Sequence, residues 1–424
     1  MKWNQRYVII SYLRSTIWTV PVIALAIEQA IVRTADTYQI DFGYIAGYHL
    51  DKVSILAAMD YVITAMISFI VFTFGSLLVA IQVASGQLSP RIIATTLLRD
   101  NVIRCTVGLF IFTLALAVAV KVRAETIPHF LASLAGILGL VCIVAFLFLI
   151  DYAARLLRPV SIVWRVAQKG GRVIDDIYPQ HAVDPPVAPS PREKFGPPDR
   201  TILHRGTSAI VIAVNLKALV ATAIRSNCIV ELAPRVGDFV AVDEPLFLLR
   251  GNVTAIDDRV LRSQVAFGRE RTIEQDSTFA LRVIVDIAIK ALSKAINDPT
   301  TAVLAVDQLQ RLLRLVGKRN LHDEQILDGD GRLRVIFRTP NWEDFVHLAF
   351  SEIRQYGAEN FQVARRLRAM IDNLIQSLPE RRLPALRREL DLLDRTLEKA
   401  YPFPEDLALA RIPDSQGLGG ASPP

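Results

Sequence analysis

The longest uncharged stretch of the sequence constrains its fold more than any other feature. Residues 61–90 contain no Asp, Glu, Lys or Arg, and most of them are apolar. A transmembrane helix needs about 20 apolar residues, because an α-helix rises about 1.5 Å per residue and the hydrocarbon core of a bilayer is about 30 Å thick. The stretch exceeds this requirement, so we predict that it crosses a membrane.

Three further apolar stretches support the same interpretation, and we predict an α-helical membrane bundle of four transmembrane helices within residues 1–150. The spans are placed at 16–33, 60–83, 104–122 and 128–150. The first span is the weakest because Glu28 interrupts it, and a bundle of three spans is the alternative. The composition agrees with an apolar part joined to an ordinary soluble part, since 52% of the residues are hydrophobic and the mean hydropathy is +0.33.

The distribution of Lys and Arg predicts the orientation. These residues lie mainly before the first span, between the second and third spans, and after the fourth. Loops enriched in Lys and Arg face the cytoplasm. We therefore predict a multi-pass protein of the bacterial inner (plasma) membrane with both termini in the cytoplasm and the lipid bilayer as a partner. The net charge of +6 is spread along the chain without a basic stripe, so no nucleic-acid partner is expected.

The residues after the fourth span predict a cytoplasmic α+β region. Residues 151–200 read as a basic juxtamembrane segment and a proline-rich linker, which suits an extended spacer. A small β-rich subdomain is predicted at 201–252, a mainly helical subdomain at 253–403, and a disordered tail at 404–424. Within these regions, strands are predicted at 209–214, 228–234, 239–242, 246–249 and 333–339, with a helix at 215–226.

Residues 277–294 read STFALRVIVDIAIKALSK and predict a buried helix. The charged residues recur at every fourth position, which places them on one stripe of a helix: Arg282, Asp286, Lys290 and Lys294. Because almost all other positions are apolar, the rest of the helix surface must be covered by the protein. Asp286 lies between two cations on this stripe, so we expect it to form ion pairs.

The buried helix is followed by Asn297, Asp298 and Pro299. Asp298 is a good helix N-cap, Pro299 suits the first position of the next helix, and Asn297 tolerates a left-handed conformation after the first. These three residues therefore predict a structural corner between two helices. The alternative is that Asn297 and Asp298 face a ligand.

The segment before the buried helix is rich in charge. It reads FGRERTIEQD, and its candidate residues are Arg269, Glu270, Arg271, Glu274 and Asp276. Asp276 or Ser277 can cap the helix, and the carboxylates and arginines together predict an ion-pair network. A magnesium-type site is the alternative, although a hard cation needs several converging oxygen ligands.

Two acidic residues, Glu28 and Asp60, fall at or near membrane depth in the predicted topology. Ionisable groups at this depth are costly and are functional candidates for that reason. We consider an acidic lining that attracts cations or relays protons. The alternative is that Asp60 lies at the interface and that Glu28 marks the end of the first span.

The sequence lacks the short motifs of the common enzyme classes. It contains no GxSxG, Walker A, HExxH or GxGxxG pattern, and its six histidines and three cysteines have no metal-ligand spacing. We therefore predict no enzymatic activity, no cofactor and no metal site. An enzyme that uses residues 269–276 together with 297–298 would require the two segments to meet in one cleft.

Three stretches together resemble a known family. They are ASGQLSPRIIATTLLRD at 84–100, RVGDFVAVDEPLF at 235–247, and the long motif GRERTIEQDSTFALRVIVDIAIKALSKAINDPTTA at 268–302. The sequence is similar here to an uncharacterised bacterial family of predicted membrane proteins, domain of unknown function 2254. The resemblance implies a membrane bundle with a cytoplasmic domain, and it implies no chemistry.

These observations lead to two functional hypotheses. The first is an oligomeric channel or transport-related protein, built as a homo-oligomer and gated by its cytoplasmic domain. The second is a membrane-anchored scaffold or sensor whose soluble part binds a cytoplasmic ligand or an unidentified protein partner. An enzyme is the least favoured class, because no catalytic motif is present.

Overall fold

The structure is a computed structural model. It describes residues 2–15, 19–38, 52–87, 100–123, 129–156, 158–180, 196–254, 256–321 and 325–419. The described residues form two compact units. The apolar unit consists of the described residues of Ser11–Gly86 and Pro90–Ile162, and the α+β unit consists mainly of those of Met1–Ile10 and Val163–Pro424. Most of the predicted proline-rich linker, residues 181–195, lies outside the described residues.

The described residues of the apolar unit form four long helices: α2 (Thr19–Tyr38), α3 (Lys52–Gln87), α4 (Asn101–Val122) and α5 (His129–Leu156). Among the described residues, α3, α4 and α5 are long and apolar enough to cross a membrane. Three of the predicted spans therefore correspond to such helices. Helix α2 covers the predicted first span but also carries Glu28 and Arg33, and a fourth transmembrane helix remains a prediction.

Helix packing inside the apolar unit leaves large apolar side chains on the outside. Its buried core joins all four helices through residues such as Val32, Met59, Leu116 and Leu131. In contrast, Leu78 of α3 and Val144 of α5 are 63% and 68% exposed. Such exposed apolar side chains are unfavourable in water and suit contact with lipid.

The α+β unit contains two β-sheets. Their strands are β1 (Arg200–Leu203), β2 (Ala209–Val214), β3 (Cys228–Leu232), β4 (Phe239–Val240), β5 (Pro245–Gly251), β6 (Val265–Gly268), β7 (Gln325–Leu327) and β8 (Leu333–Ile336). The five-stranded sheet has the order β1-β5-β3-β8-β7, and the three-stranded sheet has the order β4-β2-β6. All strand pairs are antiparallel except β3 and β8, which pair in parallel with Val230 opposite Val335.

The helices of the α+β unit coincide with capping residues and apolar periodicity in the sequence. They are the first part of α1 (Trp3–Ser15), most of α6 (Pro159–Ile177), then α7 (Leu216–Ser226), α8 (Asp258–Arg262), α9 (Ser277–Ala291), α10 (Pro299–Gly317), α11 (Trp342–Gly357), α12 (Phe361–Ser377), α13 (Leu383–Ala400) and α14 (Pro404–Ala410). Helix α9, which is buried on most of its surface, packs against α10 and α11. Helix α7 covers the sheets through Leu219 and Ala223, which join the core of the strands.

Two features differ from the organisation predicted from the sequence. The sheets are not confined to 201–252, because β6, β7 and β8 come from later in the chain. The tail predicted to be disordered from residue 404 contains α14 and a folded turn up to residue 419. In that turn, the buried Asp414 carboxylate accepts hydrogen bonds from the backbone N–H groups of Gly417 and Gly419, and Arg365 donates to the carbonyl of Ile412. These polar contacts hold a segment whose composition alone favours disorder.

Candidate functional site

A cavity of about 470 Å³ lies in the α+β unit where β2, β3 and β8 end and α9 begins. We call it the strand-end cavity. Because β3 and β8 are parallel, their carboxyl ends lie on the same side of the sheet, and the segments that follow them start there. Ligands of α/β proteins commonly bind at the carboxyl ends of parallel strands. Segment 235–236 follows β3, segment 337–340 follows β8, and both line the cavity. Its volume falls within the range of about 300–1,000 Å³ that is typical of small-molecule sites.

Asp276 lies in the wall of this cavity and is the N-cap of α9. One carboxylate oxygen accepts hydrogen bonds from the N–H groups of Thr278 and Phe279, at 3.1 and 3.0 Å. The other accepts from Nε of Arg271 at 3.0 Å. The side chain of Asp276 is 3% exposed. The carboxylate is therefore used by the fold, as a cap and as an ion pair.

The turn at Gly237 fits closely around this ion pair. A Cβ atom at Gly237 would overlap the guanidinium of Arg271 and the carboxylate of Asp276, and its φ of +95° is one that side chains rarely adopt. The turn from the β3–β4 connection can reach the start of α9 because this residue has no side chain.

Two neighbouring residues tie the segment before α9 to other elements. The hydroxyl of Tyr7 on α1 donates to Glu274 at 2.6 Å. The side-chain oxygen of Gln275 accepts from the backbone N–H of Val214, at the end of β2, at 2.9 Å. Glu274, Gln275 and Asp276 all line the cavity, so this wall is held by contacts to α1, β2 and α9.

The remaining wall combines apolar surface with a charged rim. Tyr178 and Leu232 are buried, and Phe337 is half-buried. At the rim, Lys217 and Arg338 are exposed and form no ion pair within the described residues. Apolar walls with a few polar groups of fixed position are the usual construction of a small-molecule site.

The other charged residues of the rim are either ion-paired or negatively charged. Arg235 binds Asp344 at 3.1 Å, and Asp176 is an exposed acid at the same rim. The rim therefore offers groups of both signs.

The structure brings together only part of the charged motif predicted from the sequence. Glu274 and Asp276 line the cavity, whereas Arg269 and Glu270 are exposed and do not line it. In the described part of the chain, no group of three or more His, Cys, Asp or Glu side chains is arranged to hold a metal ion.

The predicted corner at 297–299 lies at the other end of α9. Asn297 has a φ of 48°, Asp298 caps α10 by accepting from the N–H of Thr301 at 3.0 Å, and Pro299 is the first residue of that helix. The structure has the capping arrangement that the sequence predicts. Helix α9 has 15 residues, so about 22 Å separate the corner from Asp276 at 1.5 Å per residue. The two segments do not share a cleft.

The predicted charge stripe of α9 forms a network with a neighbouring helix. Arg282 binds Asp286 on its own helix, with Nε to Oδ1 at 2.7 Å, and also binds Glu352 of α11 with Nη2 to Oε2 at 2.8 Å. The hydrogen bond from Arg282 lowers the pKa of the Glu352 carboxyl. The sequence predicts the first pair through its spacing, but it contains no signal for the second.

The two acidic candidates of the apolar unit have different surroundings. Asp60 forms an ion pair with Lys121, and both side chains are about half exposed. Glu28 is fully buried, and Gln29 donates to one of its carboxylate oxygens at 3.1 Å. The other oxygen, Oε1, has no hydrogen-bond partner within the described residues. Of these two residues, Glu28 alone combines burial with an unsatisfied carboxylate oxygen.

Sequence reasoning missed the cationic rim of the cavity and the role of Tyr7. Arg235 directly follows the predicted strand at 228–234, and Arg338 lies near the end of the one predicted at 333–339, two residues beyond the observed end of β8 at Ile336. Two such cations indicate a ligand site only if the two strands are known to be parallel neighbours. That pairing joins segments about 100 residues apart, at Val230 and Val335, and local patterns do not encode it.

Comparison with known proteins agrees with the membrane interpretation. The profile of a family described as "Predicted membrane protein (DUF2254)" matches residues 14–373. Uncharacterised proteins of Mycobacterium bovis and Mycobacterium tuberculosis are each 26% identical to the chain over 433 residues, which covers 96% of this chain and 81% of the relative. No solved structure was found to match.

Proposed function

Because the chain belongs to the DUF2254 family of predicted membrane proteins, we propose that it is a membrane-anchored sensor whose α+β unit binds a small molecule in the strand-end cavity. The observation that carries this proposal is the cavity of about 470 Å³, with apolar walls and polar groups from several elements. The ligand has an apolar body that contacts Leu232 and Phe337 and polar groups that face the rim.

The construction of the wall supports a binding role more than a catalytic one. Asp276 is occupied by Arg271 and by the N–H groups of α9, and Glu274 accepts a hydrogen bond from Tyr7. Groups held in this way shape and orient a site. A general base must instead reach a proton of the substrate.

Two matched variants test the proposal. Val236 lines the cavity, and Val236→Trp fills part of it. Val242→Trp adds the same side chain at a position that is 44% exposed and does not line the cavity. Full-length protein is purified, and retained small molecules are released and identified by mass spectrometry. We expect the wild type and Val242→Trp to release a compound that is missing from Val236→Trp.

A thermal-shift screen of small molecules on the same three proteins covers ligands that dissociate during purification. The expected result is a compound that stabilises the wild type and Val242→Trp but not Val236→Trp. Identical retained compounds and identical thermal shifts in all three proteins would contradict the proposal, provided that the variants unfold at similar temperatures without ligand.

The distribution of Lys and Arg supports a location in the bacterial inner membrane with the α+β unit and both termini in the cytoplasm. Fusions at the C-terminus test this orientation. A green fluorescent protein fusion should fluoresce and an alkaline phosphatase fusion should be inactive. The opposite pair of results would exclude the proposed side.

Glu28 favours a second candidate function, in which a homo-oligomer of the chain conducts cations or protons. A fully buried carboxylate with an unsatisfied oxygen is costly, and in an apolar helical bundle such groups often take part in ion or proton transfer. The half-exposed Asp60 is neutralised by Lys121 and lacks this property.

Flux into liposomes separates the transport candidate from the sensor. We expect Glu28→Gln to abolish cation or proton flux and Asp60→Asn to retain most of it. Absence of flux in the wild type, or equal flux in both variants, would remove the transport candidate. The strand-end cavity would be unaffected by either result.

A further inference from the structure

A second concave surface of the α+β unit lies between α6 and α10. It has a volume of about 640 Å³ and is far more charged than the strand-end cavity. We call it the basic groove, and we define it by Arg172 of α6 and by Arg311, Arg314 and Lys318 of α10. All four side chains belong to exposed residues.

Two adjacent glycines of α6 shape this surface: Gly170 lets α6 approach α9, and Gly171 leaves the groove open. A Cβ atom at Gly170 would lie 2.5 Å from Cβ of Ala280, so α6 packs tightly against α9 at this point. A Cβ atom at Gly171 would lie 3.6 Å from Cδ2 of Leu315, which is an ordinary contact. Gly171 lines the groove. A larger side chain at Gly171 would occupy the space that a ligand needs.

The carboxylates of the groove are already neutralised. Asp307 accepts from Nε of Arg366 at 2.7 Å, and Asp175 forms an ion pair with Arg319. Arg366 also donates to the side-chain oxygen of Gln310 at 2.6 Å. The two acids therefore do not compensate the four defining cations.

The four defining cations form no ion pairs within the described residues. Arg311 donates a hydrogen bond to the neutral side chain of Gln308 at 3.5 Å, and Arg314 donates one to the hydroxyl of Ser377 at 3.3 Å. Arg311, Arg314 and Lys318 are spaced at i, i+3 and i+7, so they lie along one face of α10. Together they extend over about 10 Å at 1.5 Å per residue. Several uncompensated cations in one groove favour a ligand with several negative charges.

We propose that the basic groove binds a ligand that carries two or more phosphate groups. Guanidinium groups donate paired hydrogen bonds to phosphate oxygens, and a lysine adds a compact positive charge. Three of the four cations are arginines, which favours planar, bidentate recognition. The phosphate groups belong either to a soluble ligand or to the headgroups of anionic phospholipids. The proposal rests on the groove alone and is independent of the strand-end cavity.

Pyrophosphate is the probe, because it is the smallest ligand with two linked phosphates. Full-length protein is placed in nanodiscs of neutral phosphatidylcholine, and pyrophosphate binding is measured by calorimetry. The wild type is compared with Arg311→Gln/Arg314→Gln. The matched control is Arg387→Gln/Arg388→Gln, which removes two adjacent exposed arginines from α13 outside the groove.

The expected result is saturable binding that is at least about tenfold weaker in Arg311→Gln/Arg314→Gln, since each lost charged hydrogen bond alone accounts for such a factor. The control should bind as the wild type does. Gly171→Leu, which keeps every charge and fills the groove, should also weaken binding. Unchanged thermal unfolding of the double variants shows that the fold is retained.

Nanodiscs that contain phosphatidylglycerol distinguish the two sources of phosphate. If lipid headgroups occupy the groove, pyrophosphate binding to the wild type falls in these nanodiscs. If the natural ligand is soluble, binding is unchanged. Absence of saturable binding in neutral nanodiscs, or an equal loss of affinity in the control variant, would overturn the proposal.

Discussion

The two ends of α9 use the same capping chemistry for different purposes. At its start, Asp276 caps the helix, binds Arg271 and lines a cavity. Beyond its end, Asp298 caps the following helix after the left-handed Asn297, and neither residue lines the strand-end cavity or the basic groove. Residue types and spacing therefore identify a cap, whereas the surrounding strands decide whether the cap borders a site.

The largest effect is expected from removing the buried cap. Asp276→Ala removes the acceptor for two N–H groups and leaves Arg271 without its partner, beside Gly237. We expect it to lower the free energy of unfolding by about 3 kcal/mol, which combines the loss of a helix cap with that of an ion pair whose carboxylate is buried. Chemical denaturation followed by tryptophan fluorescence, to which the buried Trp342 contributes, measures this. A loss no greater than that of Asp298→Ala would show that the two ends are equivalent.

The close approach of α6 to the first turn of α9 provides the next test. In Gly170→Ala, the new Cβ atom would lie 2.5 Å from Cβ of Ala280, so the helices must separate. We expect a loss of about 2 kcal/mol, as for other overpacked sites. Gly171→Ala has ordinary contacts and should instead stabilise the protein by up to about 1 kcal/mol through helix propensity. Equal changes in the unfolding temperature of both variants would contradict the close approach of α6 to α9.

The half-buried cap at Asp298 should matter less than the buried one. Asp298→Ala removes the acceptor for the N–H of Thr301, and Asp298 has no ion-pair partner among the described residues that would be left unpaired. We expect a loss of about 1 kcal/mol, which is typical of an N-cap. Hydrogen exchange at the first turn of α10 localises the effect. A loss above that of Asp276→Ala would reverse the comparison.

The smallest effect concerns the Arg282 network on the side of α9. Because the hydrogen bond from Arg282 lowers the folded-state pKa of Glu352 below its unfolded value, the stabilisation is present above the unfolded pKa. It is lost as the pH falls through the folded pKa. The Glu352 side chain is 41% exposed, so solvent screening should limit the contribution to less than about 1 kcal/mol.

Glu352→Gln provides the control for this pH dependence. Its unfolding free energy should fall less steeply than that of the wild type below the unfolded pKa of a glutamate. Parallel stability curves for the two proteins across acidic pH would contradict a stabilising role for this ion pair.

Local patterns predict much of this fold. The alternation and turns give β2 at 209–214 and place strands at β3, β4 and β5, and the capping residues mark the beginnings of α9 and α10. The uncharged stretch identifies α3 as a membrane-spanning candidate. These predictions succeed because they depend on residues that are close together in the chain.

The parts that could not be predicted depend on distant contacts. Tyr7 meets Glu274 across 267 residues, and Arg282 meets Glu352 across 70. The order in the tail likewise requires Arg365 and Asp414 to be brought together by tertiary packing. Each of these polar side chains could equally well be exposed to water. The residues next to it in the sequence therefore do not identify its partner.

The parallel pairing of β3 with β8 has a consequence for how the chain is made. During synthesis, β3 is complete long before Leu333 leaves the ribosome, so one of its edges has no strand to bind while α8, α9 and α10 emerge. An open strand edge is a template for association with other chains. Chains that end before Leu333 should therefore leave this edge of β3 open to association with other chains, and chains that extend past Ile336 should be the first to close it.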